Sequence, residues 1–302
     1  MIAIDWGTTS FRAYRLDAHG DVRDQRSAAA GLLACGGDFE SVLAREIAGW
    51  DDPVILMAGM VGSRSGWREV PYVPCPAGLT EIAAGLVDVP AARLPGRWLG
   101  IVPGLADHPA GRSPEVMRGE ETQVLGLLPN LPGAGPHTVC LPGTHSKWVQ
   151  VQDGCIVSLR TAMTGELYAL LRRQSLLAAL MPDAPANGVD DPDDAEAFAR
   201  GVAASAGPGG LANHLFGVRT QGLFGQLEAA QAPSYLSGLL IGHELRGLQV
   251  PSTGAAIHLV GGSALTARYA RALALLGAAS VIHAEALTAR GLHRLAQARG
   301  LV

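Results

Sequence analysis

The chain spells one arrangement twice. IAIDWGTTSFRAYRLD (Ile2–Asp17) reads as an apolar strand, a turn of glycine and small hydroxyl residues, and a second strand; VCLPGTHSKWVQV (Val139–Val151) reads the same way. A third strand follows each pair, DVRDQRSAAAGL (Asp21–Leu32) after a turn at Ala18–Asp21, and CIVSLRT (Cys155–Thr161). Behind the first meander come a helical stretch (Phe39–Ala48), the strand ILMAGM (Ile55–Met60), a helical segment (Leu79–Val87) and a strand at Trp98–Val102. Behind the second come ELYALLRRQSLLAAL (Glu166–Leu180), several helical segments, the strand AAIHLVGG, the helix SALTARYARALALLG, the strand SVIHA and a last helix near Glu285–Arg299. Two halves built on one βββαβα theme predict an α/β fold of duplicated mixed-sheet domains. The expected domains are 1–117 and 118–302, with a helical insertion at about 182–250.

Composition narrows the function classes. Of 302 residues, 48% are hydrophobic and 17% charged, with a formal charge of −4, which suits a folded enzyme and not a polyelectrolyte-binding or disordered chain. The 23 Lys and Arg are scattered without a cluster, so no nucleic-acid partner is expected. Apolar runs such as Leu176–Met181 and Ala255–Val260 fall well short of the roughly 20 residues a spanning helix needs, so no membrane partner is expected. Asp5 breaks the N-terminal apolar run and no basic segment precedes it, so no leader is read there and a cytoplasmic location is expected. Cys35, Cys75, Cys140 and Cys155 lie far apart with no C-x-x-C pair, so reduced thiols are expected and neither zinc nor disulfides. Pro182–Glu196 is acidic and proline-rich, a solvated loop ending in a helix cap, and Pro129–His137 is a turn-rich connector.

Chemistry concentrates at the turns. In DWGTTS a strand ends at Asp5, Gly7 allows close backbone approach, and Thr8, Thr9 and Ser10 offer amides and hydroxyls. Such a turn suits phosphate oxygens, with Asp5 holding a water-coordinated Mg²⁺. The second copy supplies Gly143, Thr144, His145, Ser146 and the cation of Lys147. Paired turns at matching places predict a polyphosphate clasped across a cleft between the halves. In HLVGGSALTARYARAL, Gly261, Gly262 and Ser263 join a strand to a helix, a turn that suits adenosine.

A phosphoryl acceptor needs a carboxylate to orient its hydroxyl and take the proton. MRGEETQVLGLL (Met117–Leu128) offers Glu120 and Glu121 at a helix start where the halves join; the sequence does not separate the neighbours. The loop AGMVGSRSGWREVPYVPCPAG (Ala58–Gly78) holds Ser63, Arg64 and Trp67, with Arg64 able to grip a carboxylate and Trp67 to wall a pocket. In MTGELY, Thr164 and Glu166 suit a helix cap more than a contact to substrate or γ-phosphate.

DWGTTS, LPGTHSK and LVGGSA, in that order, resemble the two phosphate motifs and the adenosine motif of the actin-like ATPase superfamily of sugar kinases, heat-shock ATPases and actin. More narrowly, DWGTTSFRAYRLD, MVGSRSGWREVPYVPCPAG, MRGEETQ, LPGTHSKWV and MTGELYALL are similar to the 2-dehydro-3-deoxygalactonokinase family, along essentially the whole chain. The resemblance implies duplicated ribonuclease H-like domains and ATP- and Mg²⁺-dependent phosphorylation of 2-dehydro-3-deoxy-D-galactonate at its 6-hydroxyl. A sugar acid needs a cationic contact, for which Arg64 is first choice and Arg12 and Arg118 are alternatives. Most sugar kinases of the superfamily use an aspartate as base, whereas this junction carries glutamates. A kinase for another acid sugar or a polyol, and a non-catalytic ATP-binding regulator, are the competing readings; a homodimer is compatible with all three.

Overall fold

Ile2, Ala3, Ile4 and Trp6 are buried on both faces of the first strand, which suits it to the middle of a sheet flanked by helices. The computed structural model describes residues 1–183, 193–250, 254–283 and 287–302. In chain order they form β1 (Ile2–Trp6), β2 (Phe11–Leu16), β3 (Val22–Ala28), α1 (Phe39–Glu46), β4 (Val54–Gly59), β5 (Val73–Pro74), α2 (Leu79–Ala84), β6 (Val87–Asp88), β7 (Trp98–Ile101), β8 (Leu105–Asp107), β9 (Glu115–Met117) and α3 (Glu120–Leu127). There follow β10 (His137–Leu141), β11 (Ser146–Gln152), β12 (Cys155–Ala162), α4 (Thr164–Gln174), α5 (Ala195–Ala204), α6 (Gly210–Leu223), α7 (Ala232–Gly247), β13 (Ile257–Val260), α8 (Ser263–Leu275), β14 (Ser280–His283) and α9 (Leu287–Ala298).

The larger sheet runs β3-β2-β1-β4-β7-β6. β1 pairs antiparallel with β2, placing Asp5 opposite Arg12, and parallel with β4, placing Trp6 beside Gly59. The second sheet runs β12-β11-β10-β13-β14, again with its first strand in the middle and its fourth and fifth strands parallel beyond it. The fold is therefore α/β, with two mixed sheets flanked by helices. Short turns make the meanders antiparallel, and the strands beyond the centre can be parallel because a helix carries each crossover.

The chain divides into two compact units, one formed by Met1–His137, Val149–Arg160 and Ala284–Val302, the other by Thr138–Trp148 and Thr161–His283. The sequence predicts a single cut between 117 and 118; here the chain passes between units several times. α3 belongs with the first unit, where α9 packs on it and the Arg294 guanidinium donates to Leu125 O. In that unit Trp6 meets Phe11 and Phe39 edge-on at 4.9 and 5.7 Å, and Cys35 fills the same core. In the other, Cys140, Trp148, Phe198 and Tyr269 share a core, and Tyr235, Leu236 and Leu239 of α7 make a further one with α5 and α6.

Two local expectations are corrected. β3 ends at Ala28 and does not reach Leu32, because the chain turns there to brace the Gly7–Ser10 turn. α4 begins at Thr164 and stops at Gln174. Beyond the two large sheets lies a third, β5-β8-β9, whose strands of two or three residues are too short to show a period. Most of the Pro182–Glu196 loop, and the start of the last helix at 285–286, lie outside the described residues. Among the described residues no helix is long and apolar enough to cross a membrane.

Candidate active site

In the first unit, Asp5, the last but one residue of β1, is only partly exposed, its carboxylate 3.7 Å from the Arg12 guanidinium across the hairpin. Burial pushes the Asp5 carboxyl up and Arg12 pulls it back. The turn that follows is closed by Gly7 N–H donating to Ser10 O at 2.9 Å, with Thr8, Thr9 and Ser10 exposed. Leu32 and Leu33 N–H donate to Gly7 O and Thr8 O from behind, so the turn is held from one side and open on the other.

The two glutamates are separated by their surroundings. Glu121 is fully buried, and burial together with the neighbouring Glu120 pushes its carboxyl up to about 8. Its Oε2 accepts Gly119 N–H at 2.7 Å while Oε1 has no partner. Glu120 is partly exposed in the first turn of α3, with Oε2 accepting Arg118 N–H at 3.0 Å. Gly59 joins this helix start to Asp5. A Cβ on Gly59 would stand 2.8 Å from Trp6 O and 3.4 Å from Asp5 Oδ1, and one on Gly119 would stand 3.1 Å from Gly59 Cα. Both residues have φ near +100°, a conformation that favours glycine. The ends of β1 and β4 and the N-terminus of α3 thus meet at one point.

The loop after β4 uses its aromatic residues to dock. Trp67 stacks on Phe39 at 6.3 Å and approaches Trp6 at 6.5 Å, so much of the ring belongs to the core. Arg118 Nη2 donates to Val70 O at 2.7 Å and its guanidinium lies 4.4 Å from the Tyr72 ring centre, while Nε and Nη1 are buried without partners. Ser63 Oγ is a further buried group without a partner. Arg64 is exposed, with only a 3.7 Å approach to Glu69.

The second unit brings its two motifs together. A Cβ on Gly261, at the end of β13, would stand 3.4 Å from Pro142 O, so the adenosine-type turn abuts the second phosphate-type turn. Gly262 starts α8, and Thr266 Oγ1 donates to Gly262 O or Ser263 O at 3.1 Å. Ser146 and Lys147 belong to β11 and are buried: Ser146 Oγ bonds Tyr269 OH at 2.7 Å, and Lys147 Nζ donates to Thr161 Oγ1 at 3.3 Å. The exposed turn is therefore confined to Gly143, Thr144 and His145.

The capping role expected of Thr164 and Glu166 is corrected. Met163 occupies the cap position without a side-chain bond, Thr164 is the first helical residue, and Glu166 reaches His145 instead, Oε2 to Nε2 at 2.5 Å. The Thr164 hydroxyl turns inward to Glu244. Glu244 is a carboxylate that sequence reasoning missed: it accepts Trp148 Nε1–H at 2.6 Å and Tyr269 O–H at 2.7 Å. Burial pushes Glu244 up, and the bonds from Thr164, Tyr269, Trp148 and Ser146 pull it back. Its signal is a single carboxylate in the largely apolar run YLSGLLIGHEL. Beside this network opens a mostly apolar pocket bounded by Gly143, Gly165, Ser237, Leu240 and Leu265.

Each unit carries its own turn of polar backbone and side-chain groups. Within the first unit the Gly7–Ser10 turn presents amides and hydroxyls, and within the second the Gly143–His145 turn does so beside an apolar pocket. Among the described residues no three His, Cys, Asp or Glu gather; Asp5 is the carboxylate beside the first turn that could hold a magnesium ion through water.

The chain is similar to known proteins along almost its whole length. Residues 5–295 match the family described as 2-keto-3-deoxy-galactonokinase. A Rhizobium meliloti (strain 1021) protein named a probable 2-dehydro-3-deoxygalactonokinase is 37% identical over 276 residues, 90% of this chain and 88% of that one. The 2-dehydro-3-deoxygalactonokinase of Escherichia coli (strain K12) is 34% identical over 279 residues, 91% of this chain and 90% of that one. The crystal structure of a Sinorhizobium meliloti protein provisionally described as a 2-dehydro-3-deoxygalactonokinase superimposes with a TM-score of 0.87, at 37% identity and covering 98% of each chain.

Proposed function

Because the chain belongs to the 2-keto-3-deoxy-galactonokinase family, we propose that it is an ATP-dependent carbohydrate kinase that phosphorylates 2-dehydro-3-deoxy-D-galactonate on its 6-hydroxyl, giving the 6-phosphate and ADP. The observation that carries this is a family match extending from Asp5 to residue 295, and so through every motif of the candidate site. Its place is the cytoplasm, where the nucleotide is supplied.

The nucleotide, with magnesium, supplies the phosphoryl group and spreads the charge that develops on it. In the first unit the amides and hydroxyls of Gly7–Ser10 would take phosphate oxygens, with Asp5 able to hold magnesium through water; in the second unit the Gly143–His145 turn, backed by Ser146 and Lys147, would likewise take phosphate. Gly261, Gly262, Ser263 and the pocket beside Gly143 take the adenosine. On the acceptor side, Arg64 pairs with the sugar-acid carboxylate, while Ser63, Arg118 and Trp67 shape the loop that presents it. Arg64 is preferred because its side chain is the more open to a ligand, 90% exposed against 53% for Arg12, whereas Arg118 is only partly exposed and gives Nη2 to Val70 O.

Glu120 orients the 6-hydroxyl and takes its proton; it is the partly exposed member of the pair, whereas Glu121 lies inside and braces Gly119 N–H. ADP release measured with a panel of 2-keto-3-deoxy sugar acids and polyols tests the substrate. The galactonate derivative should give the highest kcat/KM; preference for a polyol, or ATP turnover indifferent to any sugar, would overturn the reading.

A further inference from the structure

A carboxylate stands where phosphate is proposed to bind. Glu166 lies in the first turn of α4, and its backbone N–H donates to Thr144 O at 2.9 Å. Gly165 packs so closely on the Gly143–His145 turn that a Cβ there would stand 2.3 Å from Gly143 O. The turn and the start of the helix are thus one piece of surface, and an uncompensated Glu166 charge on it would repel a polyphosphate. The charge is answered by His145. Its Nε2 meets Glu166 Oε2 at 2.5 Å, with both side chains part-exposed, and Nδ1 has no partner among the described residues.

We propose that Glu166 is a positioning residue for His145, pinning the ring through Nε2–H so that Nδ1–H is offered to a phosphate of the bound nucleotide. The inference rests on the reading of Gly143–His145 as a phosphate turn. With Nε2–H committed to Glu166, a neutral ring would present a lone pair at Nδ1, so an anion is bound there by the imidazolium, held between two anions. A carboxylate that orients an imidazole through its far nitrogen is a recurrent arrangement in catalytic sites. The same geometry makes Glu166 unsuited to touching a sugar acid, whose own carboxylate it would oppose.

The coupling has a sign that simple loss of packing would not produce. Equilibrium binding of a non-hydrolysable ATP analogue with Mg²⁺, and of adenosine, is to be measured by calorimetry for the wild type, His145→Ala, Glu166→Gln and the double variant. Each single variant should weaken the analogue by about tenfold, the scale of one charge-assisted hydrogen bond. The double variant should bind it more tightly than His145→Ala alone, because an orphaned carboxylate has been removed; adenosine should bind all four alike. Losses that simply accumulate in the double variant would overturn the inference, as would a Glu166→Gln variant with an unchanged analogue affinity and a raised KM for the sugar acid. A wild type that binds the analogue no better than adenosine would instead refute the phosphate turn itself, and the inference with it.

Discussion

Gly119 lies against Gly59 so closely that a Cβ on Gly119 would stand 3.1 Å from Gly59 Cα. That approach joins the end of the strand beside Asp5 to the start of the helix carrying Glu120 and Glu121. It places carboxylates more than a hundred residues apart in sequence around one backbone crossing within the first unit.

Substitution at the crossing should therefore damage stability and catalysis together. Gly59→Ala forces alanine into φ +95° and within 2.8 Å of Trp6 O, and Gly119→Ala into φ +107°. Each should cost about 1–3 kcal/mol in urea unfolding and lower kcat, whereas alanine at Gly96, with φ +76° and open space around it, should cost stability without touching kcat.

Glu120→Gln keeps an oxygen to accept Arg118 N–H but loses the base. Steady-state kinetics should show kcat reduced by about 10²–10⁴ with the KM for ATP little changed. Full turnover in a folded variant would remove Glu120 from the mechanism.

Glu121 predicts a pH dependence of stability. Its folded carboxyl titrates near 8 against an ordinary value of 4.5, so between those values the folded chain holds a proton that the unfolded chain has released. Stability should fall as pH rises through that window, by about 1.4 kcal/mol per unit. Glu121→Gln removes the slope, so its advantage over the wild type in denaturant melts should grow from pH 5 to pH 8.

Arg64→Ala should raise the KM for the sugar acid about tenfold or more with the nucleotide KM unchanged, and Arg64→Lys should restore it only in part, because an ammonium cannot reproduce a bidentate fork. If Arg12→Ala or Arg118→Ala alone produces that split, the carboxylate contact lies there.

Much of the scaffold is legible because strands alternating with helices leave strong periods: β1, β11 and α3 lie where the apolar pattern places them. The turns around Gly7 and Gly143 are legible as turns because glycine and small hydroxyl residues favour them. What escapes depends on distance in sequence. Glu244 finds its donors Trp148 and Tyr269 at separations of 96 and 25 residues, and no local pattern announces them. Glu166 reads as a cap because its neighbours spell one; only the folded turn shows His145 within its reach. Trp67 reads as a pocket wall for a similar reason, since its core partner Phe39 lies on α1.

Transfer to the 6-hydroxyl is decided by following the products made from ATP, Mg²⁺ and 2-dehydro-3-deoxy-D-galactonate by ³¹P and ¹H NMR. One ADP should form for each sugar phosphate, with the new phosphorus coupled to the protons on carbon 6. Phosphate on another carbon, or release of inorganic phosphate with the sugar acid unchanged, would contradict it.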